Sequence, residues 1–156
     1  MLTALILIVV LATSLFICVI AYLYFRSQNS NSEPAMVARL NGTGGYDFNI
    51  VGESHYQDAL ERICGCRSEE SARKDTEACL YLENNNKYDK LAVRVDIEGS
   101  TVGYLSKQDA RSYRKQLKNL GHENLVGICG AIVVGGWYRS SSDAGHFGVK
   151  LDLPLN

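Results

Sequence analysis

Cysteine, histidine and carboxylate side chains are the residues of this sequence that could carry catalysis or hold a metal ion. Cys64 and Cys66 are separated by one residue, whereas zinc sites space paired cysteines by about two to four, and no second pair follows. The sequence has no glycine-rich phosphate loop with a lysine, no HExxH motif and no GxSxG motif. The histidines are scattered, and no spacing ties a nucleophile to a base. We therefore expect a protein without enzymatic activity, metal or cofactor.

A more ordered pattern of polar and apolar residues spans residues 84–111. An asparagine run predicts a turn, and alternating apolar residues predict strands over Leu91–Ile97 and Thr101–Leu105. Ser106 is placed to cap a following helix, with Asp109 three residues later, where a capping box takes an acidic residue. The apolar period changes within a dozen residues from that of a strand to that of a helix. The segment therefore predicts a hairpin that leads directly into a helix.

The remaining segments predict a mainly β fold with one or two helices. Further strands are predicted over Met36–Leu40, Phe48–Gly52, Ala78–Glu83, Val126–Val134 and Phe147–Leu153, and helices over Tyr56–Cys64 and Lys107–Leu120. The charged segment Arg67–Glu77 is expected to be a solvated connection. On the second helix, the basic residues Lys107, Arg111, Arg114 and Lys118 fall on one stripe. This pattern favours a small, partly open β-barrel of the SH3-like or OB-like type.

The same segments resemble the signature of the HIRAN domain family. Asn86–Val93, NKYDKLAV, is similar to the family's N-x-Y-D-x-N-A-V turn, and Val102–Leu105, VGYL, to the motif before its helix. Leu91 departs from the pattern, since the family usually has asparagine there. Three further pieces fit in order and spacing, and they are Val51–Tyr56, Ala131–Gly136 and Phe147–Val149. The resemblance covers roughly residues 47–153 and implies a HIRAN-type barrel.

The resemblance also implies a function, which is binding of single-stranded DNA at its 3′ end. Tyr88 matches a tyrosine that stacks on a base, and Asp89 matches an aspartate that accepts a hydrogen bond from the terminal 3′-hydroxyl. Lys107 matches a lysine that contacts backbone phosphate, and Phe147 matches an aromatic residue on a late strand. An aromatic ring can stack on any base, which contributes roughly 1–3 kcal/mol per base. A carboxylate beside cations repels a strand interior but accepts a hydrogen bond from a free hydroxyl.

One pair of positions departs from the family's DNA-end pocket. Fork-remodelling translocases of the family carry Arg-Tyr where this sequence has Ser54 and His55, so one phosphate contact is absent and the stacking residue is weaker. We expect Arg111 to contact the DNA backbone beside Lys107. The predicted nucleic-acid site consists of Tyr88, Asp89, His55, Tyr56, Lys107, Arg111 and Phe147.

Other interpretations of these residues stay open. Tyr88 could cap the barrel end with Asp89 as an Asx-turn acceptor, and the basic stripe could be an ordinary solvated helix face. Tyr104 could belong to the core or the barrel rim, and Trp137 could contact a partner or pack over the barrel mouth. The second functional hypothesis is a tethered protein-interaction module that binds a peptide through the barrel groove or an edge strand. A lipid-headgroup module is a third.

The net charge limits the kind of nucleic-acid site that this protein could have. Of 16 basic and 17 acidic residues, only Arg26 and Glu33 precede residue 35, which leaves 15 and 16 in the rest of the chain. A protein that coats duplex nucleic acid is normally clearly basic, because phosphate contacts dominate its affinity. Any nucleic-acid site must therefore be local.

The N-terminal segment Leu2–Phe25 contains no charged residue. As a helix it would be about 36 Å long, enough to cross a hydrocarbon core of about 30 Å. We expect an uncleaved transmembrane anchor over residues 1–26, a polar linker over 27–34 and the barrel domain over 35–156. Arg26 on the C-terminal flank, and cysteines suited to a reducing compartment, favour a cytoplasmic domain. The sequence leaves the oligomeric state open.

Overall fold

The computed structural model describes residues 19–20, 36–122 and 124–155. From Met36 onward the fold is mainly β with two α-helices, as the sequence predicts. The strands are β1 Val37–Leu40, β2 Phe48–Val51, β3 Ala72–Glu83, β4 Ala92–Ile97, β5 Ser100–Leu105, β6 Val126–Gly135, β7 Tyr138–Ser140, β8 Asp143–Ala144 and β9 Phe147–Asp152. The helices are α1 Gln57–Cys64 and α2 Lys107–Asn119, and a short 3₁₀ turn, Glu53–His55, precedes α1.

Six strands close into an antiparallel barrel, in the order β6-β3-β4-β5-β2-β9 with β9 returning to β6. The expectation of a partly open barrel is therefore wrong. β6 is long enough to take two partners on the same edge. Its first residues pair in parallel with β1, and its later residues pair with β9 from Gly130↔Asp152 to Gly135↔Phe147. Closure gives the barrel strands partners on both sides, and β1 lies outside the ring.

The charged segment that was expected to be a solvated connection belongs in part to a strand. β3 begins at Ala72 and pairs with β6 from Ala72↔Gly135 to Leu80↔Gly127. Arg73, Asp75 and Glu77 are exposed, whereas the residues between them are half-buried. The error has a simple cause, since Lys74 and Thr76 alternate with these exposed charges and no large apolar residue marks the inner face of this stretch.

One hydrophobic core joins the barrel and both helices. It runs from Ile50 to Leu153 and includes fully buried Leu80, Val95 and Leu151 from the strands. Each helix contributes its apolar side, which is Ala59, Leu60 and Ile63 for α1 and Ala110, Tyr113 and Leu117 for α2. The core is contained in this part of the chain, so we expect residues 36–156 to fold on their own.

The ends of α2 follow the sequence prediction. The Oγ of Ser106 accepts a hydrogen bond from the backbone N–H of Asp109 at 3.1 Å, which satisfies one free donor of the first turn. The Asp109 carboxylate accepts a hydrogen bond from the Ser106 hydroxyl rather than from its backbone N–H. Gly121 follows the helix with φ +74°, a left-handed conformation that glycine adopts without strain. The hairpin before α2 thus fixes where the helix begins.

Within residues 19–20, 36–122 and 124–155, no helix has the length and apolarity needed to cross a membrane. The predicted anchor Leu2–Phe25 lies outside the described residues except at positions 19 and 20, and the predicted linker 27–34 lies wholly outside them.

Candidate ligand-binding groove

A groove of about 710 Å³ opens between the start of α1, strand β5, the turn before β4 and the first residues of α2. Apolar side chains of Val51, Ala92, Leu105 and Ala110 form part of its lining. Five residues of the predicted nucleic-acid site also line it, and these are His55, Tyr56, Tyr88, Asp89 and Lys107. The fold therefore brings together residues that lie more than fifty positions apart in the sequence.

The turn before β4 is held from the barrel side by Asn86. Its Oδ1 accepts hydrogen bonds from the backbone N–H groups of Tyr88 at 2.9 Å and Asp89 at 3.2 Å. Its Nδ2 donates to the Glu83 carboxylate at 2.8 Å, and Glu83 also accepts from Arg94 at 3.0 Å. Asn86 thus sets the conformation of the two residues that follow it. Sequence reasoning included Asn86 only as part of the motif, because asparagine in a turn needs no further role.

The turn is held from the helix side by Arg114. Its guanidinium donates to the carbonyl oxygens of Leu91 and Ala92, and to the Oδ1 of Asn84, each at 2.8 Å. The sequence placed Arg114 on a stripe of basic residues that could be a solvated helix face. In the structure it is instead a half-buried link between α2 and the turn.

Asp89 presents one carboxylate oxygen to the groove side of α2. Its Oδ1 accepts from the backbone N–H of Leu91 at 2.9 Å, which is the Asx turn that one of the open interpretations predicted. Its Oδ2 accepts only a long hydrogen bond, 3.4 Å, from Arg111. The pKa of Asp89 is held below its usual value mainly by the hydrogen bond from the Leu91 N–H, and then by the positive charges of Arg111 and Lys107. The carboxylate is therefore ionised at neutral pH, with one oxygen weakly occupied.

Tyr88 projects into solvent at the rim of the groove. It is 84% exposed, the most exposed of the large hydrophobic side chains in the described residues, and the Lys87 ammonium lies 4.7 Å from its ring centroid. A residue that caps the barrel end would be covered, so Tyr88 is not such a cap, although the Asx turn of the same interpretation is present at Asp89. Val51 and Leu91, 46% and 43% exposed, add apolar surface near the same groove.

Two further tyrosines lie deeper in the groove. The ring centroids of Tyr56 and Tyr104 are 6.5 Å apart, with the ring planes tilted by 51°. Burial, together with the neighbouring Tyr56 hydroxyl and Glu83 carboxylate, raises the pKa of Tyr104 to about 12. Both side chains line the groove, so Tyr104 is a groove residue that the predicted set left out. Its place inside the VGYL strand suggested core or rim and gave no sign of a ligand.

The exposed cations of α2 differ in their surroundings. Lys107 lines the groove, and its ammonium has no hydrogen bond or ion pair within the described part of the chain. Arg111 does not line the groove but contacts Asp89 beside it, and its Nη1 also donates to the Lys107 carbonyl at 2.7 Å. The two residues that were predicted to contact the DNA backbone therefore lie at one side of the groove.

Phe147 lies elsewhere. It is 2% exposed, belongs to the core, and carries the Arg67 guanidinium 5.1 Å from its ring centroid. Its backbone N–H donates to Gln57 at 2.8 Å. Phe147 has no surface on which a base could stack, because the alternation of β9 turns it into the barrel.

Trp137 and the cysteines are also separate from the groove. The Nε1 of Trp137 donates to Asp143 at 3.0 Å within the β7–β8 hairpin, and its ring packs on Gly145, where any side chain would overlap it. Burial raises the pKa of Cys129 to about 12 and also raises that of Cys64, which makes both poor nucleophiles. The described residues contain no cluster of three or more His, Cys, Asp or Glu side chains that could hold a metal ion.

The groove can therefore stack a planar ring on Tyr88, accept a hydrogen bond at Asp89 and attract an anion through Lys107. No family model, curated protein or solved structure matches this chain. Membership of the HIRAN family therefore stays a prediction from the motifs, and the chemistry of the groove is argued from the geometry of these side chains.

Proposed function

We propose that the barrel is a HIRAN-type binding module for single-stranded nucleic acid, preferentially DNA 3′ ends. The observation that carries this proposal is the meeting of Tyr88, Asp89 and Lys107 in one groove. They come from two separate elements, the turn before β4 and the first turn of α2. Each supplies one of the three interactions that a terminal nucleotide needs, which are stacking, a hydroxyl acceptor and a phosphate cation.

The rigid turn supports the binding role of Tyr88. An exposed tyrosine on a mobile loop would lose conformational entropy when a base stacked on it, which would reduce its contribution. Here the backbone of residues 84–92 is fixed by Asn86 and Arg114 before any ligand arrives. Stacking on Tyr88 can then contribute most of the roughly 1–3 kcal/mol expected per base.

Asp89 supports selection of an end over a strand interior. A free 3′-hydroxyl can donate to the Oδ2 of Asp89, which has only the long contact with Arg111. An internal nucleotide places a phosphate in the same position, and its charge is repelled by the ionised carboxylate. Lys107 attracts the preceding phosphate in either case. The near-neutral domain would thus bind ends locally rather than coat duplex.

The proposal includes a tether. Leu2–Phe25 is proposed to anchor the domain in a membrane, with the barrel on the cytoplasmic side, because the segment lacks charge and its basic flank is Arg26. The domain itself is proposed to bind without catalysis, so any reaction at the bound end would belong to a recruited partner. Resistance of the full chain to alkaline extraction from membranes tests the anchor, and release into the supernatant would contradict it.

The binding test uses the full chain in neutral detergent micelles and labelled thymidine oligonucleotides. Strands that end in a 3′-hydroxyl or a 3′-phosphate are compared with a blunt duplex at two salt concentrations. We expect the 3′-hydroxyl strand to bind best and Asp89→Asn to lower its affinity about tenfold, because a hydrogen bond to a charged acceptor is worth about 1.5–3 kcal/mol. Asp75→Asn, an exposed carboxylate on β3, is the matched control.

Lys107→Gln provides a second variant. It should weaken binding and reduce the slope of log affinity against log salt by about one. Absence of measurable binding by the unmodified protein at low salt would rule out the nucleic-acid function.

A peptide ligand is the second candidate, and the apolar lining of the groove favours it. Val51 lines the groove and is 46% exposed, and Leu91, which precedes the lining residue Ala92, is 43% exposed and replaces the polar residue usual in the family motif. A peptide that buries these side chains should bind with little dependence on salt or on Lys107, in contrast to nucleic acid. Loss of peptide binding in Leu91→Asn, with oligonucleotide binding absent, would identify this function.

A further inference from the structure

Arg111 is placed to balance the charge of Asp89 rather than to point freely into solvent. Its Nη1 donates to the carbonyl oxygen of Lys107 at 2.7 Å, a contact with the backbone of its own helix. The same nitrogen lies 3.4 Å from the Oδ2 of Asp89. The first contact fixes the guanidinium, and the second is too long to saturate the carboxylate oxygen.

The two lysines that line the groove are engaged differently. The Lys87 ammonium lies over the Tyr88 ring, and Lys107 has no side-chain partner in the described residues. Arg111 is thus the one cation that the structure pairs with Asp89 in that region. Its neighbour Arg114 is occupied by the turn backbone and cannot replace it.

We infer that Arg111 sets how strongly this groove distinguishes a terminal hydroxyl from a terminal phosphate, by neutralising Asp89, and is not a simple backbone-phosphate contact. The inference rests on the proposed function. With Arg111 present, a terminal phosphate meets a carboxylate whose charge is partly cancelled. Without Arg111, the same phosphate meets the full charge, whereas a hydroxyl still finds an acceptor. Removal of Arg111 should therefore increase selectivity for the hydroxyl.

The two roles for Arg111 predict different results for one ratio, the dissociation constant for a 3′-phosphate strand divided by that for a 3′-hydroxyl strand. A backbone contact is made equally by both strands, so Arg111→Gln would weaken both and leave the ratio unchanged. Charge balancing predicts that Arg111→Gln raises the ratio about fivefold, because one added charge interaction at about 4 Å in water is worth about 1 kcal/mol. Low ionic strength is needed, since the pair is exposed and screened by salt.

The experiment measures this ratio for the full chain in neutral detergent micelles. Arg111→Lys keeps the charge and should stay within about twofold of the unmodified ratio. Lys118→Gln removes a cation further along the same helix and serves as the matched control. In the double variant Asp89→Asn with Arg111→Gln, the increase should disappear, because the charge to be balanced is gone.

Each outcome is decisive. A higher ratio in Arg111→Gln that disappears in the double variant supports charge balancing. An unchanged ratio in Arg111→Gln, a rise that persists in the double variant, or an equal rise in Lys118→Gln overturns the inference and leaves the proposed function standing. An unmodified protein that binds neither strand overturns both.

Discussion

Replacement of Arg114 by glutamine should loosen the turn that carries Tyr88 and Asp89. The arginine donates three hydrogen bonds of 2.8 Å, to Leu91, Ala92 and Asn84. Among the described residues, the only other side chain of α2 that donates a hydrogen bond to this segment is Arg111. Glutamine is too short to reach all three acceptors. The Leu91 and Ala92 carbonyls would then rely on water for these contacts.

The magnitude follows from the bonds lost. A net hydrogen bond contributes about 0.5–1.5 kcal/mol, and the half-buried position of Arg114 places these near the lower end, because water can replace part of each bond. Three such bonds correspond to about 2 kcal/mol of the free energy of unfolding. Typical domains have only about 5–15 kcal/mol in total, so the loss would be easily measured.

Urea unfolding of residues 36–156 and amide exchange of the turn test this prediction. Arg114→Gln should lower the unfolding free energy by about 2 kcal/mol and speed exchange at residues 84–92 more than elsewhere. Lys115→Gln, an exposed neighbour without a side-chain hydrogen bond in the described residues, should change stability by less than about 0.5 kcal/mol. Equal behaviour of the two variants would show that Arg114 does not hold the turn.

Two further variants probe the same site from other directions. Asn86→Asp replaces the amide that donates to Glu83 with a second carboxylate, so ligand affinity measured by titration should fall at least about tenfold. The control Asn85→Asp should change the affinity less than about twofold. Similar affinities for both variants would contradict the role of Asn86. Ser106→Ala removes the N-cap of α2 and should lower the free energy of unfolding in urea by about 1 kcal/mol, with Ser112→Ala as the control. An unchanged free energy of unfolding would mean that the Asp109 N–H finds another acceptor.

Much of the fold could be predicted from the sequence, because local signals agree with the tertiary arrangement. The strand-turn-strand-helix segment ending in α2 is punctuated by Glu98 and Gly99, which both adopt positive φ, and by the Ser106 cap. Two errors have physical causes. The start of β3 is rich in charged residues and has no strong apolar inner face. Barrel closure depends on the pairing of β9 with the later residues of β6, a non-local contact that local patterns do not reveal.

Part of the groove's lining was predictable from the sequence, but its geometry was not. The motif resemblance selected Tyr88, Asp89 and Lys107, which line one groove. It could not show that Arg114 holds the turn, since basic residues at helical spacing look alike in sequence. Phe147 was expected to bind ligand, yet the alternation of its own strand buries it. Only the three-dimensional structure distinguishes a cation that is free to contact a ligand from one that holds the protein's own turn.

The position of β1 outside the barrel has a mechanical consequence. β1 enters the fold directly after Met36 and pairs with β6 over only four residue pairs. The ring of six strands closes through β9, without β1. A pull on the chain at Met36 would therefore peel β1 away first, while the strands and turn that form the groove kept their pairing. Only after β1 had detached would the tension reach β2, the next strand along the chain, which pairs with β5 and β9.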